Sequence, residues 1–491
     1  MRQIIAQQLQ LGQISIKDIE FDLQSRDDIP QILAGLQELY CDPAKREALF
    51  ACLKKLIPKD VDAHNGRPGM TLWNIWVLGS IRLNLGCNYD RVMELANEHC
   101  TVRRMLGHDS SFDTNYRYRL QTIKDNLSLI TREVSDEINQ IVVKAGHEAL
   151  GKGDVALNTS CDSFVAKTNV HYPTDINLLL DAMRKIINAC GKAAKSFDLP
   201  DWRQHDYNYR SLKNLYLKTT RLKHSSSKDE TKKVAQQEKI MQAHQALIER
   251  AELYLARAEQ TLDALITLSG SEDLRSTIDY FCFHARYQIK LTRRRVIDGE
   301  VIPHSDKIFS LFQPHTEWIS KGKAGVPVEL GQRVAVMKDQ FGFLLHHKVM
   351  IKETDEKVAV EMVEETIKRF PRVRMCSFDK GFWSVDNRKD LSEILDKVVM
   401  QKKGKLSQKD REIEADPEFI QARKQHSAVE SAINALQVHG LDMCPDHGVE
   451  AFERYVALSI VSRNIQKLGA IILEQKRRTI KKLARRQKAA A

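Results

Sequence analysis

The sequence lacks several features that would place a protein in a familiar class at once. It has no run of about 18 apolar residues, so we expect no transmembrane helix. The stretch MRQIIAQQLQLGQ has no signal-peptide core or cleavage site. The nine cysteines include no CxxC pair and are typical of free thiols in a reducing compartment. No Walker-type phosphate loop and no dinucleotide fingerprint is present. These absences favour a cytoplasmic protein without a membrane partner.

What the chain has is length and positive charge. Its 491 residues suffice for roughly two to four domains. The formal net charge of +11 favours a polyanionic partner, most simply nucleic acid, although a merely basic soluble protein is the alternative. Residues 203–233 contain nine Lys or Arg against three Asp or Glu, and residues 476–487 contain seven basic residues and no acid. Either segment could lie along DNA or form a solvated charged face.

Residues 1–150 are predicted to form a helical N-terminal domain. Within residues 71–107, apolar residues at helical spacing predict three short helices, over 71–86, 88–99 and 101–107. Gly86 is a C-cap candidate for the first of them. Short helices joined by tight turns are typical of a helix-turn-helix-like DNA-binding part, and an ordinary helical bundle is the alternative.

The next segment predicts a strand followed by a helix. VALNTSCDSFVAKTNVHY (155–172) is rich in β-branched residues and alternates in polarity. Pro173 ends the strand. Thr174 or Asp175 should cap the helix INLLLDAMRKIINAC, and capping is the expected role of Asp175. Residues 190–300 then read as helix, including a long antiparallel helical hairpin.

Strand character returns after this helical insertion. IFSLFQPHTEWI, PVELGQRVAVMKD and GFLLHHKVMI predict three successive strands within residues 308–351. Residues 355–370 predict a helix capped by Thr354 or Asp355, and residues 373–379 a short strand ending on a carboxylate. The expected fold class is therefore mixed α/β of the α+β type, with its sheet core interrupted by a helical insertion.

Three carboxylates stand out by their context. Asp162 lies in the first predicted core strand, Asp379 ends a later strand, and Glu430 lies in a predicted helix. Three acids that converge in one crevice would repel each other unless metal ions neutralise them. Such acids suit two Mg²⁺ ions, which can clamp the attacking and leaving oxygens of a phosphoryl displacement. For any single Asp at a strand end, a cap or a salt bridge is the more common role.

The segments that carry these acids resemble the catalytic blocks of bacterial insertion-sequence transposases with a DDE triad, and among these the ISNCY type. The segments are CDSFVAKTNVHYPTD, SFDKGFWS and HSAVESAINALQVHGL, with HSDKIFSLFQPHTEWISKGKAGVPVELGQRVAVMKDQFGFLLHHKV between the first two. The resemblance covers roughly residues 70–470. It implies an RNase H-like core made of residues 151–189 and 301–470, with the helical insertion 190–300 between them and a basic tail over residues 471–491.

The resemblance also implies a function. Asp162, Asp379 and Glu430 would be catalytic ligands of two Mg²⁺, for which Mn²⁺ could substitute. The chain would then cleave DNA at insertion-sequence ends and join the freed 3′-hydroxyl to target DNA. Its partners would be the terminal inverted repeats and target DNA, bound by a homodimer or a larger assembly near the nucleoid. An RNase H-like nuclease without transposition and a non-catalytic DNA-binding protein are the alternatives.

The chain departs from the family around its Glu. Many relatives carry a Tyr-Arg-Glu-Lys signature there, and this sequence has Arg423, His426 and Gln437 at the Tyr, Arg and Lys positions. Gln437 can donate a hydrogen bond to phosphate but carries no charge, so Lys424 and His426 are candidates to replace the missing cation. The predicted DNA contacts are Arg67, Arg103, Arg104, Lys213, Lys218, Arg221, Lys380, Arg423, Lys424, His426, Gln437, Lys476, Arg477 and Arg478.

Overall fold

The computed structural model describes residues 3–5, 12–57, 69–108, 116–320 and 327–490, with side chains to residue 487. These residues form two compact units. The core unit consists of the described residues up to Asn169 and from Glu317 onward. The helical unit is Val170–Thr316 and is wider at both ends than the predicted insertion 190–300.

Seven α-helices precede the sheet among the described residues of the core unit. Asn74 N–H donates to the Thr71 side chain at the start of the third, and Gly86 follows its end with a φ of +59°. Every residue of this third helix is buried, so the first helix of the predicted helix-turn-helix-like part is a core helix. The helices are α1 Ile29–Cys41, α2 Pro43–Lys54, α3 Leu72–Asn84, α4 Tyr89–Glu98, α5 Cys100–Met105, α6 Leu120–Leu127 and α7 Arg132–Ala149.

A single sheet of seven strands forms the centre of the core unit. The strand order is β2-β3-β1-β5-β6. In addition, β4 pairs with β3 and β7 pairs with β1. Strands β2, β1 and β4 run antiparallel to β3, whereas β5 and β7 run parallel to β1 and β6 runs parallel to β5. The strands are β1 Leu157–Thr168, β2 Glu317–Ser320, β3 Val328–Asp339, β4 Leu344–Met350, β5 Val373–Phe378, β6 Lys397–Met400 and β7 Met443–Cys444.

Helices cover both faces of this sheet. On one face, Cys161 and Phe378 join the core that α12 supplies with Val358 and Met362. On the other face, Phe164 joins the core formed with α3, α7 and the last helix. The later helices of the core unit are α12 Asp355–Arg369, α13 Val385–Ile394, α14 Gln408–Ala415, α15 Pro417–His426, α16 Ala428–Leu436 and α17 Val449–Ala490. The mixed α+β fold class is thus confirmed.

Helix α17 is long and apolar enough to cross a membrane, by length and composition alone. Of its most apolar window, 72% is buried against the rest of the chain. Burial of this kind is typical of a helix that belongs to the core of its unit. The helix starts in the core and ends in the basic segment 476–487.

The helical unit contains four helices with a core of their own. Ile186 on the first helix, Ile248 on the third and Ile278 on the fourth are fully buried in that core. The second and third helices form the predicted helical hairpin. The helices are α8 Asp175–Phe197, α9 His205–Arg221, α10 Glu230–Leu265 and α11 Glu272–Thr292.

Two local predictions need correction. The cap of α8 is Thr174, whose side chain accepts from the N–H of Asn177, while Asp175 lies in the first turn and pairs with Arg295 at 2.5 Å. The predicted strand from residue 308 starts only at Glu317. Residues before it turn instead, with the N–H of Thr316 donating to the carbonyl of Gln313, because Leu311 packs into the helical unit.

Candidate functional site

Two of the three predicted acids lie next to each other on adjacent parallel strands. Asp162 is in the middle of β1, and Asp379 directly follows the last residue of β5. Cys161 pairs with Phe378, so the acids occupy the next positions along the two strands. Because Cys161 and Phe378 face the α12 side of the sheet, strand alternation directs Asp162 and Asp379 to the opposite face.

The third acid is presented to that face by α16, which packs against β1. Val429 and Ile433 fix the helix through burial in the core, and Glu430 in its first turn stays exposed. Neighbouring helical residues point in different directions, so burial of Val429 leaves Glu430 on the open side. The structure thus brings Asp162, Asp379 and Glu430 into one region of the sheet.

The pKa of Asp162 shows that other acids lie near its carboxylate. Burial raises the pKa of Asp162 to about 6. The N–H of Ser163 donates to Asp162 Oδ1 at 2.7 Å and opposes the shift, whereas Asp379, Asp355 and Glu430 each raise the pKa further. Like charges act in this way when they are near and poorly screened. Asp162 is therefore a partly buried carboxylate with three other acids close enough to influence it.

Asp355 is a further member of this acidic group, and the sequence pattern gives it only a capping role. It is the first residue of α12, and its Oδ1 accepts from the Ser163 hydroxyl at 2.6 Å. A Cβ added at Gly381 would lie 2.9 Å from Asp355 Oδ2. The turn after Asp379 therefore packs closely against this carboxylate. A sequence signal for Asp355 would be the combination of an acid at a helix start with a hydroxyl residue, Ser163, directly after Asp162 in the strand.

A polar row lies beside the acids on the same face. Ser160 and Ser377 are paired across β1 and β5, and their Oγ atoms are 2.8 Å apart. His426 Nδ1 lies 3.0 Å from Ser377 Oγ. Burial lowers the pKa of His426, while Asp379 and Glu430 oppose that shift, so His426 lies near both acids.

Two buried nitrogens in this neighbourhood have no hydrogen-bond partner in the part of the chain described. They are Nε2 of His426 and Nε1 of Trp383, four residues after Asp379. A buried polar atom without a partner costs about 1–3 kcal/mol and calls for an explanation. Trp383 packs against the core on the α12 side of the sheet, whereas His426 contacts Ser377 on the face that carries Asp162.

The acids fit Mg²⁺ in their chemistry. Carboxylate oxygens are the hard ligands that this ion takes, usually with water or phosphate completing the shell. Across the described ranges, no three His, Cys, Asp or Glu side chains converge tightly enough to hold one ion together. The side chains of Asp379 and Glu430 are exposed.

The predicted DNA contacts near the acids differ in their exposure. Lys380 follows Asp379 and is exposed, as are Arg423 and Lys424 on α15. Gln437 follows α16 seven residues after Glu430 and is half-buried. These residues and His426 belong to the same part of the core unit as the acids.

The other predicted contacts lie elsewhere. Arg67 is outside the described residues. The Arg103 guanidinium donates to the carbonyls of Asn97 and Tyr116, so it already has protein partners, and Arg104 is half-buried. The predicted contacts on α9 are exposed and belong to the helical unit; they are Lys213, Lys218 and Arg221.

The three cations predicted at the end of α17 are not equivalent. Arg477 donates to the Leu23 carbonyl at 2.6 Å and pairs with Glu474, which also pairs with Arg478. Lys476 is exposed at one side of a groove that Lys17 and Glu20 also line. The acid-free basic segment starts at Lys476, but Glu474 pairs with two of its first three cations.

Comparison with known proteins adds no family to this description. No family model matches the chain, and neither the curated proteins nor the solved structures contain a significant match.

Proposed function

We propose that this chain is a DNA transposase that cleaves DNA at insertion-sequence ends and transfers the freed strand to target DNA. One observation carries the proposal: Asp162, Asp379 and Glu430 occupy one face of the sheet, and Asp379 and Glu430 both raise the pKa of Asp162. Acids held together against their repulsion are typical of sites that bind cations.

The sheet supports the interpretation of the core unit as RNase H-like. Its central strand β1 has two strands of an antiparallel meander, β3 and β4, on one side and the parallel strands β5 and β6 on the other. The first acid lies on the central strand and the second on the parallel neighbour. This placement is what the resemblance of the three sequence blocks implies.

Asp162, Asp379 and Glu430 would hold two Mg²⁺ ions. When bound, such ions stabilise charge on a phosphodiester undergoing in-line displacement and favour deprotonation of the attacking oxygen. The protein's own groups do the positioning. The Ser163 N–H fixes one Asp162 oxygen, the Ser163 hydroxyl is held by Asp355, and His426 faces the acids with a free Nε2.

Charge-neutralising variants test this function directly. Asp162→Asn, Asp379→Asn and Glu430→Gln should each lower Mg²⁺-dependent strand cleavage by about a hundredfold or more, because each removes a metal ligand. The matched control is Asp386→Asn, which removes an exposed acid of α13 outside the site. Cleavage of a labelled duplex is measured by gel electrophoresis. Unchanged cleavage by Asp379→Asn would overturn the assignment.

A nuclease without transposition shares the same acidic site and is the second candidate. The structural observation that favours it equally is the acid group itself, which suits hydrolysis as well as strand transfer. A DNA end with a free 3′-hydroxyl and a circular target distinguish the two functions. Joined products support the transposase, and cleavage that never yields joined products supports the nuclease.

A further inference from the structure

A group of three cations, Lys338, Arg463 and Lys467, lies beside the acids on the same face of the sheet. Arg463 and Lys467 are one turn apart on α17, and Lys338 is on β3. A Cβ added at Gly342 would lie 2.8 Å from Lys467 Nζ and 3.9 Å from Lys338 Cε, so both lysines reach one point. All three side chains are half-buried. We call them the cation cluster.

The cluster has no anionic partner within the described ranges. Lys338 and Lys467 form no ion pair there. Asp339 raises the pKa of both lysines, but its carboxylate is already engaged. Its Oδ2 lies 2.6 Å from His147 Nε2, and its Oδ1 accepts hydrogen bonds from two backbone N–H groups. Burial lowers the pKa of Lys338 and of Lys467, and each cation next to Lys467 lowers its pKa further.

Arg463 is in the same situation. Its guanidinium contacts the side-chain oxygen of Gln466, and burial lowers its pKa in spite of Asp28. Like charges that are held together, half-buried and without a direct ion-pair contact oppose folding unless an anion is present. Lys467 is further fixed by its ammonium, which lies 5.5 Å from the centre of the Phe343 ring.

The register of the sheet places the cluster next to the acids. Lys338 pairs with Ser160, and Ser160 pairs with Ser377 on the far side of β1. Asp162 is two residues beyond Ser160, on the same face. His426 contacts Ser377, and its pKa is lowered by Lys338 and raised by Asp379 and Glu430. A row of cationic and hydroxyl groups therefore adjoins the row of acids.

We propose that the cation cluster binds a backbone phosphate of a nucleic-acid strand, neighbouring the phosphate that the acids act on. A nucleic-acid strand presents successive phosphates. The acids with their bound metal ions can engage one phosphate while the cation cluster engages the next. Lys and Arg contact phosphates in this way through charge-assisted hydrogen bonds. The inference deepens the proposed function, and it concerns binding, which can be measured without cleavage.

Binding is measured by fluorescence anisotropy with a short labelled duplex in EDTA, so that metal chemistry plays no part. Lys338→Gln and Lys467→Gln should each weaken binding about threefold to tenfold and reduce the slope of log K against log salt by about 0.9. Lys144→Gln is the matched control because Lys144 is an exposed lysine of the core unit on α7. Unchanged affinity and slope for both cluster variants would refute the proposal.

Thermal unfolding separates this role from a structural one. Without DNA, Lys467→Met should unfold at a higher temperature than the wild type, because it removes a half-buried charge with no counter-ion. A structural lysine would give the opposite change. A lower unfolding temperature for Lys467→Met, together with a DNA affinity that remains normal, contradicts the proposal.

Acetylation footprinting identifies the ligand. The duplex should protect Lys338 and Lys467 several-fold from an amine-acetylating reagent, with Lys144 unprotected, as read by mass spectrometry. Inorganic phosphate at the same phosphate concentration should give little protection. Equal protection by inorganic phosphate would assign the cluster to a small phosphate compound instead. Protection by DNA in a protein that never cleaves DNA would support the cluster and reject the proposed catalytic function.

Discussion

At the scale of single residues, the most informative group is the carboxylate of Asp162. Its pKa of about 6 means that, in the absence of a cation, the folded chain holds a proton that the unfolded chain releases near 3.8. Ionisation of Asp162 at neutral pH therefore costs folding free energy. Residues of this kind persist where function needs them, because a neutral substitute is more stable.

Asp162→Asn should therefore stabilise the protein. Between pH 3.8 and about 6, Asp162 is protonated in the folded state and ionised in the unfolded state. The free energy of unfolding therefore falls as the pH rises through this window, and the destabilisation by Asp162 is absent below it and complete above it. We expect the variant to gain on the order of 2 kcal/mol at pH 7.5 and nothing near pH 3.8. Urea unfolding in EDTA at several pH values measures the difference.

Addition of Mg²⁺ is the control for this experiment. The ion should stabilise the wild type and leave Asp162→Asn nearly unchanged, because binding to the folded state alone raises the free energy of unfolding. A variant that is less stable than the wild type at pH 7.5 would show that Asp162 is a structural carboxylate.

At the scale of elements, the tightest feature of the core unit is the crossing of α1 and α17. A Cβ added at Gly35 would lie 2.1 Å from the carbonyl oxygen of Ile465, and one added at Gly469 would lie 1.8 Å from that of Gln31. The two helices approach backbone to backbone, which only glycine permits. This crossing holds the helix that carries Arg463 and Lys467.

Gly469→Ala should be strongly destabilising because backbone atoms on the facing helix cannot move aside as a side chain could. We expect a loss of about 3 kcal/mol or more in the free energy of unfolding, since overpacking forces main-chain shifts. Gly153→Ala is the matched control, because nothing lies within 4 Å of the added methyl group there. Similar stability of the two variants in thermal unfolding would contradict the close packing.

Local patterns predict the elements better than they predict the site. The strands around Asp162, Val336 and His346 follow from alternation and β-branched residues, and Gly86 ends α3 as expected. The strand predicted over residues 308–316 rests on a short apolar run, and such a run does not distinguish a strand from other buried structure. Leu311 is instead buried in the helical unit.

The parts of the site that the sequence does not predict depend on register. The position of Asp355 at a helix start already explains why an acid is found there. Its hydrogen bond to Ser163 is visible only in the folded structure. Lys338 lies in an apolar strand, and its place beside the acids follows from the pairing with Ser160. A one-residue slip of β3 against β1 would send Lys338 to the other face, and the sequence around Lys338 does not by itself fix that pairing.

At the scale of the whole molecule, positive charge is unevenly distributed. Residues 480–491 carry five cations and no acid, against a formal charge of +11 for the chain. Arg477 and Gln475, just before them, hold the backbone carbonyls of Leu23 and Ala149. The end of α17 thus combines an anchored turn with a free basic segment.

Truncation after Thr479 should weaken DNA binding without unfolding the protein. Removal of each cation that neutralises a phosphate reduces the slope of log K against log salt by about 0.9, so the slope should become clearly shallower. Salt titrations by fluorescence anisotropy measure it, with thermal unfolding as the check that the anchored turn remains. An unchanged slope would remove the segment from the DNA-binding surface.

The pairing of β1 with β5 also sets an order of events during synthesis. Asp162 leaves the ribosome long before Asp379 and Glu430, with the helical unit Val170–Thr316 made in between. At about 5–20 residues per second, the acids stay apart for many seconds. Helix α17, which packs against α1 and α3 and carries Arg463 and Lys467, follows Glu430 along the chain. The acidic site therefore cannot form before α16 is made, and the cation cluster forms later still, once α17 has been made.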